Sequence, residues 1–202
     1  MSPCSTPSPR SGGGCSSIRG WASTKVHRVL QHAVGWEDCH LHQYHLESGE
    51  WIGRLSYQVA AFGIQIVNEA NVALRDVLGE AGTRVAYEYD FGDGWMHVLE
   101  VEAVLEGDAI AKAAGDDAPA DLPAAWCVAG ERAGPLEDSG GLYGYQELLA
   151  LHALPTAQKA KLDEWLRERL EWMEGFDPEA FDRDEVNRAI RRVKVRKAFA
   201  GR

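Results

Sequence analysis

The segment from Val85 to Val101 constrains the fold more than any other part of this sequence. Its residues alternate between apolar and polar types on either side of a run of Gly92, Asp93 and Gly94. A period of two predicts β-strands, and a Gly-Asp-Gly run between two such strands predicts the turn of a β-hairpin. The chain is therefore expected to be an α+β protein that contains this hairpin.

The alternation also predicts how the two strands pair. A loop of Gly92, Asp93 and Gly94, with Gly94 in the left-handed conformation, sets apolar residues opposite one another, whereas a two-residue loop mixes the faces. The expected pairs are Phe91 with Trp95, Tyr89 with His97, Tyr87 with Leu99, and Val85 with Val101. The wetter face is expected to carry Glu88, Asp90, Met96, Val98, Glu100 and Glu102.

The composition is typical of a globular protein with a single domain. The chain has 202 residues, of which 45% are hydrophobic and 26% are charged, and this is enough to bury one sizeable core. The net charge of -10 disfavours extended binding to a phosphate backbone, although a local basic patch stays open.

The spacing of the cysteines and the hydropathy of the chain indicate in which cellular compartment the protein is found. The sequence has no Cys-x-x-Cys pair, no apolar stretch long enough to cross a membrane and no apolar segment typical of a signal peptide. We therefore expect a cytoplasmic protein with reduced thiols and no membrane partner. The four cysteines are Cys4, Cys15, Cys39 and Cys127.

The domain is expected to cover residues 23–195. Residues 1–22 are rich in Ser, Gly and Pro and are predicted to be a disordered tail, and residues 196–202 form a basic tail. A short amphipathic helix is predicted from Ser23 to a cap at Gly35.

The rest of the chain alternates between further elements and loops. The spacing after Trp36 predicts a strand, and a short helix is expected over residues 72–78. Residues 126–141 are expected to form a long ordered loop. The last third is expected to be helical, over residues 145–152 and 156–174, with a final helix from the capping pair Asp182 and Glu185 to about residue 195.

Four blocks of the sequence resemble one family when they are taken together and in order. They are GWEDCHLHQYHL (35–46), YEYDFGDGWMHVLEVE (87–102), CVAGERAGPLEDSGGLYGY (127–145) and FDPEAFDRDEVNRAI (176–190). This set is similar to the plasmid pRiA4b ORF-3-like family, which is also met as a passenger protein of insertion elements. The resemblance implies a single α+β domain with a curved, mostly antiparallel sheet, a central β-hairpin and flanking helices. It implies proximity to mobile DNA and no established activity.

Two departures from the family pattern stand out. Family members usually begin with a strand that ends in a Pro-Pro-x-Trp-Arg-Arg-like stretch, which the Ser/Gly/Pro tail replaces here. Many members also have a second cysteine where this chain has Gly134, so Cys127 lacks that partner. The second departure weakens a metal or disulfide role for this segment.

Three histidines form the first candidate site. His40 and His42 share one side of the predicted strand, and His97 lies on the tyrosine-bearing face of the hairpin. Together with Asp90 or Asp93 they offer nitrogen and oxygen ligands to a divalent metal ion. The alternative, which we favour because no known metal-site spacing is present, is that they are hydrogen-bonded histidines of the core.

Four carboxylates form the second candidate site. They are Asp90, Asp93, Glu137 and Asp138, and they suit acid-base chemistry or a divalent cation. However, Asp93 between two glycines also fits a tight turn, and Glu137 with Asp138 also fits the cap of the following helix. A glycine-rich run at 140–144 lacks the Lys and Ser/Thr of a P-loop. The full candidate set for binding is His40, His42, Tyr89, Asp90, Asp93, Trp95, His97, Glu137 and Asp138.

Two classes of function follow from these candidates. The preferred one is a non-catalytic binding or accessory module without a cofactor, associated with mobile elements, that holds a peptide or nucleic acid in a groove between the hairpin and the Glu137 loop. The other is a metal-dependent hydrolase or nuclease that uses His40, His42, Asp90, Asp93 and His97. A basic C-terminal helix is a further candidate for contact with protein or nucleic acid, although such residues also complement a helix dipole. Its basic residues are Arg188, Arg191, Arg192, Lys194, Arg196, Lys197 and Arg202.

Overall fold

The computed structural model describes residues 23–54 and 66–193, and in this part of the chain helices accompany a five-stranded mixed sheet. The strands are β1 (His42–Leu46), β2 (Trp51–Gly53), β3 (Ile66–Asn68), β4 (Arg84–Tyr89) and β5 (Trp95–Glu100). The helices are α1 (Ser23–Val34), α2 (Leu74–Val77), α3 (Asp108–Ala114), α4 (Gly141–His152), α5 (Thr156–Lys159), α6 (Glu164–Glu171) and α7 (Arg183–Ile190), with a 3-10 turn at Glu69–Asn71. The predictions for both tails lie outside the described residues.

The sheet has the strand order β3-β2-β1-β4-β5. Strand β1 is antiparallel to β2 and to β4, the β4–β5 hairpin is antiparallel, and β2 and β3 are parallel. This confirms the α+β class and the mostly antiparallel sheet. The hairpin is not central among the described strands, because its strand β4 has a partner on both sides while β5 lies at the edge.

The register of the hairpin differs from the prediction by two residues. Tyr89 pairs with Trp95 and Tyr87 with His97, so the loop has five residues, 90–94, instead of three. The N–H of Asp90 donates to the carbonyl of Leu41, and the carbonyl of Asp90 accepts a 2.6 Å hydrogen bond from the N–H of Gly94, which closes the turn. A shift of two residues leaves each side chain on its predicted face.

The inward face of the hairpin builds the main core. Val85, Tyr87 and Tyr89 are buried, whereas Met96 and Val98 of β5 are exposed on the other face, as predicted. Asp90 is the exception, because it is buried and its backbone has φ of 55°. This core also contains Trp36, Tyr44, Ile52, Trp95 and Tyr145.

Helix α1 covers the inward face of the sheet. Its described part runs from Ser23, whose carbonyl accepts a 3.0 Å hydrogen bond from the hydroxyl of Tyr44, and it ends before Gly35, which has φ of 90°. The end at Gly35 agrees with the prediction. A second apolar cluster joins α1 to α7 through Val29, Ala125, Cys127, Ile190 and Val193.

The C-terminal third is helical, but it contains two helices where the sequence predicted a single long one. The helix predicted over residues 156–174 is broken into α5 and α6, because Asp163 caps α6 by accepting a 2.9 Å hydrogen bond from the N–H of Leu166. Helix α7 begins at the predicted cap Asp182. It ends at Ile190, which is earlier than predicted.

We expect Gly141→Ala to destabilise the fold by about 2–4 kcal/mol, as measured by urea unfolding. Gly141 has φ of 65°, and a Cβ atom there would lie 2.4 Å from the carbonyl oxygen of Asp93, so the substitution strains the backbone and separates α4 from the hairpin turn. Gly35→Ala is the control, since its φ is 90° but no atom lies within 4 Å of the added Cβ. We expect it to cost only about 1–2 kcal/mol, and equal losses would contradict the role of the close contact.

Candidate functional site

Three loops meet at the turn of the hairpin, at residues 36–41, 90–94 and 135–140, and we call this region the hairpin-tip site. Tyr89 lies at its centre. The tyrosine hydroxyl accepts hydrogen bonds from the N–H groups of Cys39 (3.1 Å) and His40 (3.3 Å), and it donates one to Glu137. Burial and then the bond to Glu137 raise the pKa of Tyr89, so the hydroxyl keeps its proton.

Two further contacts fasten the loop at 135–140 to the loop at 36–41. The indole N–H of Trp36 donates to the carbonyl of Pro135 at 2.7 Å, and the N–H of Glu37 donates to Oε2 of Glu137 at 2.8 Å. The Trp36 ring also stacks on Tyr89 with 4.5 Å between centroids. The position of the 135–140 loop is therefore set by an aromatic stack and by hydrogen bonds.

The hairpin turn contacts the same loop directly. Oδ2 of Asp93 accepts a 3.0 Å hydrogen bond from the N–H of Gly140, just before α4. Together with the bond between Tyr89 and Glu137, this contact bridges the groove that the sequence suggested between the hairpin and the Glu137 loop. The carboxylate of Asp93 therefore binds the backbone before α4, and the carboxylate of Glu137 binds the hydroxyl of Tyr89 and the N–H of Glu37.

His40, Asp90 and Asp138 form a group of three potential metal ligands. Nδ1 of His40 lies 3.6 Å from Oδ1 of Asp90, and Nε2 lies 3.2 Å from Oδ1 of Asp138. The second contact lacks hydrogen-bond geometry, so Nε2 is a buried atom without a hydrogen-bond partner. One ligand atom from each residue lies within 4.8 Å of the others. Both aspartates have positive φ, 55° at Asp90 and 54° at Asp138.

The other two predicted histidines lie elsewhere, so the structure does not form the predicted group of three. Nε2 of His42 is 2.7 Å from Oε2 of Glu69, and both side chains are buried. The ring of His97 packs with its edge against Trp36 at 5.3 Å between centroids. The cause of the separation is local: His40 precedes β1 in a loop, while the side chain of His42 points from β1 into the core. Trp95 is also buried in this core.

A buried polar chain under α1 was missed in the sequence analysis. Nε2 of Gln31 donates to the hydroxyl of Tyr87 (3.2 Å), which lies 2.8 Å from Nδ1 of His27, and Nε2 of His27 lies 2.6 Å from Oδ1 of Asp38. The direction is consistent if Tyr87 donates to Nδ1 and the N–H at Nε2 donates to Asp38. The spacing of four from Ser23 through His27 to Gln31 was the available signal.

The rings of His27 and His42 stack at 3.4 Å, and their carboxylate partners lie on different elements. Burial, and then the nearby His42, lower the pKa of His27 to about 4. Burial alone would raise the pKa of Glu69, but the hydrogen bond and charge of His42 outweigh it and lower that pKa. Beside this pair is a pocket of about 200 Å³ lined by Thr24, Lys25, His27, Arg28, Asp38, Arg54 and Glu69.

The basic C-terminal segment is described only as far as residue 193. The guanidinium of Arg191 lies 5.3 Å from the ring centroid of Trp126, and Nη2 of Arg188 is 3.9 Å from Oδ2 of Asp182. These arginines therefore contact their own domain. A role of the segment in binding remains a prediction.

Comparison with known proteins gives three similarities. A family model described as plasmid pRiA4b ORF-3-like protein matches residues 21–185. The uncharacterised protein y4hQ of Sinorhizobium fredii is 28% identical over 170 residues, which are 83% of this chain and 76% of the relative. The crystal structure of MM3350, a protein of unknown function from Methanosarcina mazei Go1, covers 85% of this chain and 86% of its own, with a TM-score of 0.64 and 26% identity.

We expect Tyr89→Phe to lower the free energy of unfolding by about 2–3 kcal/mol, because it leaves the N–H groups of Cys39 and His40 without their acceptor and Oε1 of Glu137 without its donor. Tyr44→Phe is the matched control in the same core, since its hydroxyl makes one hydrogen bond, to Ser23. That loss should be about 1 kcal/mol. Urea unfolding of both variants is the measurement, and an equal loss in both would contradict the anchoring role of Tyr89.

We expect the free energy of unfolding to fall by about 3 kcal/mol between pH 6.5 and pH 4 because of His27, at about 1.4 kcal/mol per pKa unit. In this range the unfolded chain protonates His27 and the folded chain does not, so acid favours unfolding. The lowered pKa of Glu69 adds to this loss of stability only as the pH falls below the ordinary pKa of a glutamate, 4.5. Urea unfolding across this range should give a flatter profile for His27→Gln than for the wild type. Parallel profiles would refute the assignment.

Proposed function

The chain belongs to the plasmid pRiA4b ORF-3-like family, and we propose that it is a non-catalytic binding module that holds a basic protein segment on an exposed aromatic surface. The surface consists of Tyr143 on α4 and of Trp165 and Trp172 at α6, and we call it the aromatic patch. An accessory role near mobile DNA, which the family resemblance implies, is part of this proposal.

The exposure of these three rings is the observation that carries the proposal. Tyr143 is 87% exposed, Trp165 60% and Trp172 52%. Large apolar side chains that share an exposed surface mark sites of protein contact more often than single ones do. Tyr and Trp are also the residue types that contribute most binding energy in protein interfaces.

Arg169 joins the parts of the aromatic patch. It follows Trp165 by four residues and precedes Trp172 by three, so the three side chains share one face of the helix. Its guanidinium lies 4.8 Å from the ring centroid of Trp165. Nη2 is 3.4 Å from the carbonyl of Gly144, which follows Tyr143, so Arg169 links the helix that carries Tyr143 to the helix that carries Trp165.

The charge around the patch favours a basic partner. The segment from 163 to 174 contains five carboxylates and two arginines, and one of these arginines is paired with Glu147 at 2.6 Å. A nucleic acid stacks well on exposed aromatic rings, but its phosphates would be repelled here. A protein segment with lysine or arginine beside apolar residues matches both the rings and the charge.

The pockets near α1 are a weaker basis for a small-molecule function. They have volumes of about 200 and 190 Å³, below the range of about 300–1,000 Å³ that is common for ligand sites. The ligand set of the hydrolase alternative, His40, His42 and His97, is also divided between two regions. These two observations support the binding module over that enzyme.

The test selects peptides from a random displayed library against the purified full chain. We expect enrichment of sequences that combine basic and apolar residues, with affinity reduced about tenfold or more by Trp165→Ala and Trp172→Ala together. Synthetic peptides from the selection and fluorescence anisotropy give the affinities.

Met96→Ala is the matched control, since Met96 is 54% exposed on β5, away from α6 in the sequence. It should leave the affinity within about twofold. If the selected peptides bind the double tryptophan variant as tightly as the wild type, the aromatic patch is not the binding surface. If sedimentation shows that the patch mediates self-association instead, the basic partner is refuted.

A further inference from the structure

We propose that His40, Asp90 and Asp138 bind one divalent transition-metal ion, which fastens the three loops of the hairpin-tip site. This inference does not depend on the aromatic patch, which is built from other side chains. It also differs from the metal site expected from the sequence, because His42 and His97 take no part and Asp138 replaces them.

The contact between His40 and Asp138 has the geometry of two ligands of one ion. Their nearest nitrogen and oxygen are 3.2 Å apart, yet no hydrogen bond joins them. Bonds of about 2.0–2.2 Å from a metal ion to nitrogen and oxygen place neighbouring ligand atoms about 3 Å apart. Asp90 supplies the third ligand atom within the 4.8 Å limit of the group.

The local charge also favours a cation. Two carboxylates, those of Asp90 and Asp138, face a single imidazole. A protonated His40 supplies at most one positive charge to this pair. A divalent ion balances both carboxylates while His40 stays neutral and coordinates through a ring nitrogen.

The three ligands are positioned by the network of Tyr89. The backbone N–H of His40 donates to the hydroxyl of Tyr89, and Asp90 follows Tyr89 in the chain. Asp138 follows Glu137, whose carboxylate accepts a hydrogen bond from the same hydroxyl. Oδ1 of Asp90 also accepts a 3.0 Å hydrogen bond from the N–H of Gly92, which fixes its carboxylate. A site held in this way needs little rearrangement to bind an ion.

The chemistry of the ligands limits the choice of metal. Imidazole with carboxylates suits Zn²⁺ or Mn²⁺ better than Ca²⁺ or Mg²⁺, which prefer oxygen ligands alone. Three protein ligands leave at least one coordination position for water. The carboxylate of Asp138 is 61% exposed, so the group lies at the surface.

His45 provides an internal control. Its Nε2 lies 3.2 Å from Oε2 of Glu88 and, like that of His40, lacks a hydrogen-bond partner. The side chains of His40 and His45 are 25% and 24% exposed. The difference is that the group around His40 includes a third ligand atom.

The test is calorimetric titration of the full chain with Zn²⁺ and, separately, with Mn²⁺, which has little preference for the cysteine thiols. We expect one equivalent of either ion to bind. His40→Ala and Asp138→Asn should weaken binding about tenfold or more, and His45→Ala should leave it within about twofold. Asparagine tolerates positive φ, so Asp138→Asn should keep the fold, which circular dichroism checks.

Three results would overturn the proposal. The first is a wild type that binds neither ion. The second is an equal loss of affinity in His40→Ala and His45→Ala. The third is Zn²⁺ binding that persists in His40→Ala and is removed when the cysteines are blocked, because the ion would then be held by thiols. Each result leaves the peptide-binding test of the aromatic patch unaffected.

Discussion

The hydroxyl of Tyr89 is the group on which the arrangement of the three loops depends. The chain turns from α1 into β1 through residues 36–41, where no regular element satisfies the backbone N–H groups of Cys39 and His40. An N–H without an acceptor costs up to about 1–3 kcal/mol as it becomes buried, so an acceptor from elsewhere in the fold stabilises this loop. Tyr89 supplies it from β4 and uses its own proton to bind Glu137. One side chain therefore packs in the core through its ring and joins two separate loops through its hydroxyl, while the third loop follows it directly in the chain.

A second constraint is the polar chain between α1 and the sheet. Buried polar groups destabilise a protein unless their hydrogen bonds are made, and then they specify one arrangement of the elements that carry them. Gln31, Tyr87, His27 and Asp38 meet this condition in one continuous chain, and Gln31 also accepts from the N–H of Asp38 at 2.9 Å. Helix α1 cannot slide or rotate on the sheet without breaking several of these bonds. The same burial holds His27 neutral, so the stability of the helix-sheet contact is linked to pH.

Patterns among neighbouring residues were enough to predict the class of the fold. Contacts between residues that are far apart in the sequence could not be predicted from it. Alternation in the hairpin fixed the two faces, but a shift of two residues preserves every face, so it did not fix the register. The five-residue loop is closed by the bond from the N–H of Gly94 to the carbonyl of Asp90, and the alternation does not predict the positive φ of 55° at Asp90. The break at Asp163 depends on a cap inside a helical pattern. In the site, Asp90 and Asp138 were candidates, yet their approach to His40 depends on Tyr89 and Glu137, which are 48 residues apart.

The loop before α4 contributes to both proposed surfaces. Asp138 belongs to the proposed metal site, and the carbonyl of the next residue, Ser139, lies 3.3 Å from Nη2 of Arg169, which supports Trp165. The proposed ligand and the carbonyl that binds Arg169 therefore belong to adjacent residues of the chain. If an ion changes the affinity for a partner through this loop, the partner must change the affinity for the ion by the same factor. The two proposed sites are thus built from different side chains but share one structural element, the loop that contains residues 138 and 139.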